Sequence, residues 1–175
     1  MDIVIRQARM EDAEPIARVQ VETWRDAYRD IVDGAHLAHM SVGEQTGKWR
    51  EWLRSDSRHR PIFVGDELGE VVGFISGGRS RQARFPFDAE LYALYVKPPR
   101  QRRNVGRSLT RALVDALRDQ GYRSLLVGVF EQNASARRFY ETLGGAYVGE
   151  QPLSWGGASY PEVFYGWPEL EDVTT

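Results

Sequence analysis

The sequence contains no cysteine. That excludes disulfides, thiolate zinc sites and any covalent route through a cysteine nucleophile. It also fits a reducing compartment, and a cytoplasmic protein is expected. Lysine is nearly absent too. All but two of the 23 basic side chains are arginine, which reads as compositional bias. No apolar run approaches the roughly 20 residues of a membrane helix. The opening "MDIVIRQARMEDAEP" lacks the basic and apolar regions of a secretory signal. No large excess of either charge sign exists. A formal net charge of −2 argues against general polyanion binding, so neither nucleic acid nor membrane is an expected partner. No Gly-x-Gly-x-x-Gly follows the first apolar segment, which argues against a dinucleotide fold. What remains is 175 residues, 42% hydrophobic and 27% charged: one soluble globular domain, 1–175.

The apolar periodicities alternate between strand and helix. "DIVIRQA" reads as a strand. A helix from about Glu11 to Tyr28 carries Ile16, Val19, Thr23, Trp24 and Ala27 on one stripe, with Pro15 tolerated in its early turns. "SVGE" (Ser41 to Glu44) matches a capping box opening a second helix with Trp49, Trp52 and Leu53. "RPIFVGDELGEVVGFISGG" reads as a hairpin, and the nearly all-apolar "AELYALYV" (Ala89 to Val96) as a central strand. A helix to about Gln120, stopped by Gly121, then a buried strand and a short helix capped by Asn133 and stopped by Gly144, follow in turn. "AYVGEQ" and "PEVFYGW" close the chain as strands joined by the Gly-rich "LSWGGASY". The order is strand, two helices, three strands, helix, strand, helix, two strands, an α/β chain with a mixed sheet.

"VKPPRQRRNVGRSLTRALVDAL" (Val96 to Leu117) places five arginines in its first sixteen residues. Two prolines end the preceding strand, and Asn104 and Gly106 are best suited to unusual backbone angles. A helix then begins with unpaired amides at the positive end of its dipole. This is a ready phosphate or pyrophosphate site, to which Arg102, Arg103 and Arg107 add charge. A solvated helix end stays open as the other reading of this stretch. A DNA face does not fit, because Arg111 and Arg118 alternate with Asp115 and Asp119.

Within this stretch, Gln101 and Gly106 match the ends of Q/R-x-x-G-x-G/A, and the chain resembles the Gcn5-related N-acetyltransferases (GNAT family). Asn104 stands at the middle glycine. "NASARRFYETLGG" independently resembles that family's N-x-x-A-x-x-F-Y-E-x-x-G-F pattern through Asn133, Ala136, Phe139, Tyr140, Glu141 and Gly144, with Gly145 at the usual phenylalanine. "IRQARMEDAEPIARVQVETWRDAY" is also typical of the family. The likeness runs from about Ile3 to Trp167. It implies an α+β fold with a mostly antiparallel sheet whose central strands splay, with acetyl-CoA as cosubstrate. It further implies that the backbone of Leu94 and Val96 pairs with the pantetheine arm. Amides of Arg102, Arg103, Asn104, Val105, Gly106, Arg107 and Ser108 would hold the pyrophosphate. Asn133 would bond the pantetheine arm, and Tyr140 would lie by the sulfur.

Acetyl transfer needs a neutral amine, a donor for the carbonyl oxygen and a proton for the departing thiolate. A backbone amide near Leu94 can be that donor. A phenol, with an ordinary pKa of about 10, can share a proton with a thiolate, which suits Tyr140. Glu90, expected on one strand face with Tyr92 and Leu94, and Glu131 are candidate bases; an amine arriving neutral needs none. Trp24, Tyr28, Trp49, Trp155 and Tyr160 are candidate walls of the acceptor pocket. His36 and His39 read as surface or packing residues, and no metal is expected. The expected activity is acetyl transfer from acetyl-CoA to a primary amine of a small molecule or peptide, by direct attack. A non-catalytic acyl-CoA sensor is the alternative, and dimerisation stays open.

Overall fold

The structure, a computed structural model, describes residues 3–55 and 59–175. Asp2, where the first strand was expected to open, lies outside them. Seven strands form one sheet: β1 (Val4–Gln7), β2 (Ile62–Glu67), β3 (Glu70–Arg79), β4 (Ala89–Val96), β5 (Leu125–Phe130), β6 (Ala146–Trp155) and β7 (Ala158–Trp167). Their order is β1-β2-β3-β4-β5-β7-β6, so β4 is central as its apolar run predicted. Only the β4–β5 pair is parallel.

The helices are α1 (Ala13–Ala27), α2 (Gly34–Ala38), α3 (Val42–Arg54), α4 (Val105–Asp119) and α5 (Ala134–Thr142). The Ser41 hydroxyl caps α3 by accepting from Glu44 N (3.3 Å). The α1 stripe is buried at Ile16, Val19 and Thr23, while Ala27 at its end is exposed. Five-residue α2, capped by Asp33, is too short to show a helical period and was not expected.

Hydrophobic clusters cover both faces of the sheet. On one face Leu109, Leu113 and Leu117 of α4, Tyr140 of α5 and Leu143 just after it pack on Ile75, Leu91, Val127 and Tyr165. Each fully buried leucine contributes about 1.5–3 kcal/mol. On the other face Ile16 and Val19 of α1 and Trp49 of α3 pack on Val64 and Phe74. Arg6 of β1 locks the entry to α1, reaching Asp12 (2.8 and 2.9 Å) and Asp66 of β2 (3.0 Å).

Two expectations need correction. The joiner "LSWGGASY" is mostly strand: β6 and β7 pair to their tips through Trp155↔Ala158. Only Gly156 (φ 59°) and Gly157 (φ 80°) form the turn. A two-glycine turn with both φ positive matches the strand twist and lets the ladder run to its end. The second concerns β4. Its register to β3 shifts between Ser76 and Gly77, where Ala93 and Leu91 are successive partners and Tyr92 is the extra residue. A bulge reverses the alternation of side chains. Leu91 and Leu94 therefore face the same core, and Glu90 does not share a face with Leu94.

Candidate active site

The bulge sits where the sheet opens. β4 and β5 pair only at Ala89↔Leu125, Glu90↔Leu126 and Leu91↔Val127. Beyond this, β4 stays with β3 and Gly128–Phe130 stay with β7, so the two strands part. Lys97 N donates to Val72 O in β3 (2.9 Å). By the alternation of the ladder, the peptide groups of Leu94 and Val96 turn to the open side. Val96 O accepts there from the Gln101 side-chain amide (2.9 Å). A cavity of about 760 Å³ occupies the gap, lined by Leu94, Val96, Gln101, Asn133 and Tyr140 among others.

At one end lies the turn into α4. Arg102 and Asn104, both at φ 62°, are left-handed. Gly106 was expected in that role but stands within α4. It matters for clearance: a Cβ there would lie 3.2 Å from the Phe139 ring. Two non-glycine left-handed residues cost on the order of 1–3 kcal/mol each, strain of the sort found at ligand clamps. None of the backbone N–H groups from Arg102 to Arg107 has an acceptor among the described residues. Ser108 N donates to Asn104 O (2.9 Å). Its amide is therefore spent on the first helical bond, contrary to the expectation that it faces an anion.

The arginines divide by partner. Arg100 bonds buried Glu67 (2.5 Å). Arg107 donates to Thr174 O (3.0 Å) and weakly to Thr142 Oγ1 (3.4 Å). Arg102 and Arg103 pair with no carboxylate of the described residues, and they flank the free amides. The turn thus presents a run of free donors beside two guanidiniums without a carboxylate among the described residues, a chemistry that suits an anion.

Asn133 caps α5, its Oδ1 accepting from Ala136 N (3.2 Å). Seven residues on, two helical turns, Tyr140 comes to the same side. Its ring is 5% exposed, and the residue borders the cavity. Burial pushes the phenol well above its ordinary value, with Tyr95 adding to the shift. The group therefore stays protonated, as a donor, across the neutral range. Gly145 departs from the family pattern for a visible reason: a Cβ there would lie 2.7 Å from the Trp167 ring.

The far end is aromatic. Trp24, Tyr28 and Trp155, candidate walls of the acceptor pocket, border the cavity together with Tyr95 and Phe130. Trp24 and Trp155 meet edge to face, centroids 4.8 Å apart. Tyr160 stands behind this wall, packed on Phe130 at 5.7 Å, with its hydroxyl accepting from Asp33 N (3.3 Å). Trp49 is not part of the wall. It is 1% exposed in the α1–α3 core and donates to Gln20 Oε1 (2.7 Å), because its helix face turns inward. His36 packs on Trp155 at 4.6 Å. Among the described residues, Thr23 Oγ1 and Trp24 Nε1 are buried without completing a hydrogen bond.

Glu90 is 3% exposed, and Arg81 takes both its oxygens through its backbone N (2.8 Å), Nε (3.3 Å) and a terminal nitrogen (2.8 Å). Arg81 in turn stacks over Tyr92 at 4.0 Å. Exposed Glu131 follows β5 and does not line the cavity. A carboxylate that sequence reasoning passed over, Glu162 of β7, does line the cavity. Burial raises its pKa, helped by the charge of Glu90 and opposed by the Gln151 amide and Arg81. In the sequence it is one glutamate in a closing strand, with no motif around it.

This fold and cleft are those of acetyltransferases. Residues 18–145 match the acetyltransferase (GNAT) family. An uncharacterized N-acetyltransferase of Bacillus subtilis, YuaI, is 35% identical over 99% of this chain and 97% of its own. The L-methionine sulfoximine/L-methionine sulfone acetyltransferase of Salmonella typhimurium is 32% identical over 53% of this chain and 54% of its own. In fold, the chain is similar to the PaiA N-acetyltransferase of Thermoplasma acidophilum, solved with coenzyme A: TM-score 0.70, 23% identity, covering 93% of this chain and 98% of that one. The chain belongs to the GNAT family. It is an N-acetyltransferase, and acetyl-CoA is its cosubstrate.

Proposed function

We propose that residues 1–175 work as a single domain that moves an acetyl group to a small-molecule primary amine by direct attack. Acetyl-CoA supplies the acetyl as an activated thioester. The amides of Arg102 to Arg107, with Arg102 and Arg103 beside them, bind the diphosphate. The open edge of β4 at Leu94 and Val96 pairs with the pantetheine arm, and Asn133 steadies it. The Leu94 N–H donates to the carbonyl oxygen that gains charge. Tyr140 Oη supplies a proton to the departing sulfur. Trp24, Tyr28 and Trp155 shape the acceptor pocket. Glu90 orients Arg81 over Tyr92.

The observation carrying this reading is one continuous cavity, with unpaired amides at one end and the Tyr140 phenol beside the parting of β4 and β5. The relatives named for methionine sulfoximine and spermidine favour a small amine as acceptor. The absence of cysteine and of any described helix able to cross a membrane is consistent with a cytoplasmic place. Calorimetric titration with coenzyme A, paired with thiol release from acetyl-CoA across a panel of amines, tests the reading. Binding with amine-dependent thiol release is expected. Binding without release on any amine would favour a sensor, and no binding would refute the reading.

A further inference from the structure

Glu162 occupies a position that the family motifs do not describe. It lies on β7 opposite Phe130. Its carboxylate leans across Gly128, the first β5 residue past the last β4–β5 pair. A Cβ on Gly128 would clash with Glu162 Oε1 and would lie 2.8 Å from the Phe164 ring. Glycine at 128 thus leaves space that the carboxylate fills. Phe130, the cross-strand partner of Glu162, faces Tyr28 and Trp155 at 4.9 and 6.0 Å. Glu162 therefore belongs to the aromatic, α1 side of the sheet. Tyr140 belongs to the core on the α4–α5 side. The two groups approach the gap from opposite faces, as an acceptor of protons and a donor of protons must when an amine attacks on one side and sulfur departs on the other.

Resting on the proposed acetyl transfer, we infer that Glu162 receives the acceptor ammonium and takes its proton at Oε1. Two protons leave the nitrogen in all. The first passes to Glu162 and on to solvent. The nitrogen lone pair then forms the N–C bond while the C–S bond breaks with its electrons on sulfur. Tyr140 Oη protonates the sulfur, and the second nitrogen proton restores the phenol. Glu90, the base expected from sequence, is less suited because Arg81 already occupies both its oxygens. The titratable groups facing Glu162 are Tyr28 of α1, Arg81 before β4 and Glu90 of β4, with neutral Gln151 on β6. Burial outweighs the cation, so the carboxyl titrates above its ordinary value, which makes it the stronger base.

The test compares wild type with Glu162→Gln and Glu162→Asp, using spermidine, tyramine and L-methionine sulfone as probe amines from pH 5 to 10. With a base present, kcat/KM rises through the carboxylate pKa and then levels. Glu162→Gln can use only the free amine. Its kcat/KM is about 10²-fold lower at pH 7 and keeps climbing until it nears wild type close to the amine pKa, about 10. Glu162→Asp retains the level region at a lower height. A Glu162→Gln profile parallel to wild type at every pH, whether equal or uniformly lower, overturns the assignment. If none of these amines is acetylated, hydrolysis of acetyl-CoA by water reads the same proton transfer: about tenfold slower in Glu162→Gln supports the inference, and unchanged hydrolysis overturns it. Coenzyme A titration of each form separates the two claims. Intact binding with an unaltered profile sinks only the role of Glu162, whereas loss of binding in wild type sinks the acetyl-transfer reading with it.

Discussion

Tyr140 shows how burial fixes the role of a single side chain. Removing the phenol from water disfavours its anion, so the group is held in the form that can give a proton. Tyr140→Phe keeps the ring packed and removes only the hydroxyl. It is expected to lower kcat by about 10²-fold while the dissociation constant for coenzyme A stays within about twofold of wild type; single-turnover kinetics and calorimetry read the two separately. At this scale the sequence was uneven. Asn133 was legible as a helix cap, whereas Tyr140 was singled out by the resemblance of "NASARRFYETLGG" to the family pattern. Arg102 was not expected to be left-handed, since nothing in an arginine side chain announces that conformation. Glu162 was invisible, because its place depends on a glycine on the neighbouring strand, 34 residues away in sequence.

Among the elements, the turn into α4 carries the most. Asn104 already adopts the conformation that glycine takes without strain. Asn104→Gly is accordingly expected to keep coenzyme A affinity within about threefold, since the strain relieved is only about 1 kcal/mol. Gly106→Val instead drives methyl groups toward Phe139 and the amides beside it. A loss of about tenfold or more in affinity is expected by calorimetry, equivalent to about 1.4 kcal/mol. The entry to α1 yields a stability prediction. Burial raises the Asp12 carboxyl, but the bonds from Arg6 and from Arg9 N outweigh it and leave the pKa low. With a folded value below the unfolded one, the contribution is present above pH of about 4 and fades as pH falls through the folded value. Asp12→Asn should cost about 3 kcal/mol at pH 7, with a difference from wild type in urea midpoint that shrinks toward pH 2. A difference constant with pH would contradict the ion-pair origin. Element boundaries were largely legible from caps and periods. The β4 bulge was not, because one extra residue leaves an apolar run unbroken and only the register of β3 exposes it.

For the whole molecule, the decisive feature is a sheet that parts at its centre. Element order and the central place of β4 could be read from apolar patterning. Where β4 leaves β5 could not, because pairing partners are set by packing across the chain. The net charge of −2 also hid a local fact: among the described residues Arg102 and Arg103 find no carboxylate beside the free amides, while Arg100 does.

The claim on which the rest stands is that unpaired backbone groups of this opening grip coenzyme A. Amide hydrogen exchange with and without acetyl-CoA tests it most directly, because N–H groups lacking acceptors exchange fast until a ligand supplies them. Strong slowing confined to peptides spanning Leu94–Val96 and Arg102–Arg107 is the expected result. Unchanged exchange in both segments under saturating ligand, or protection centred on another part of the sheet, would contradict it.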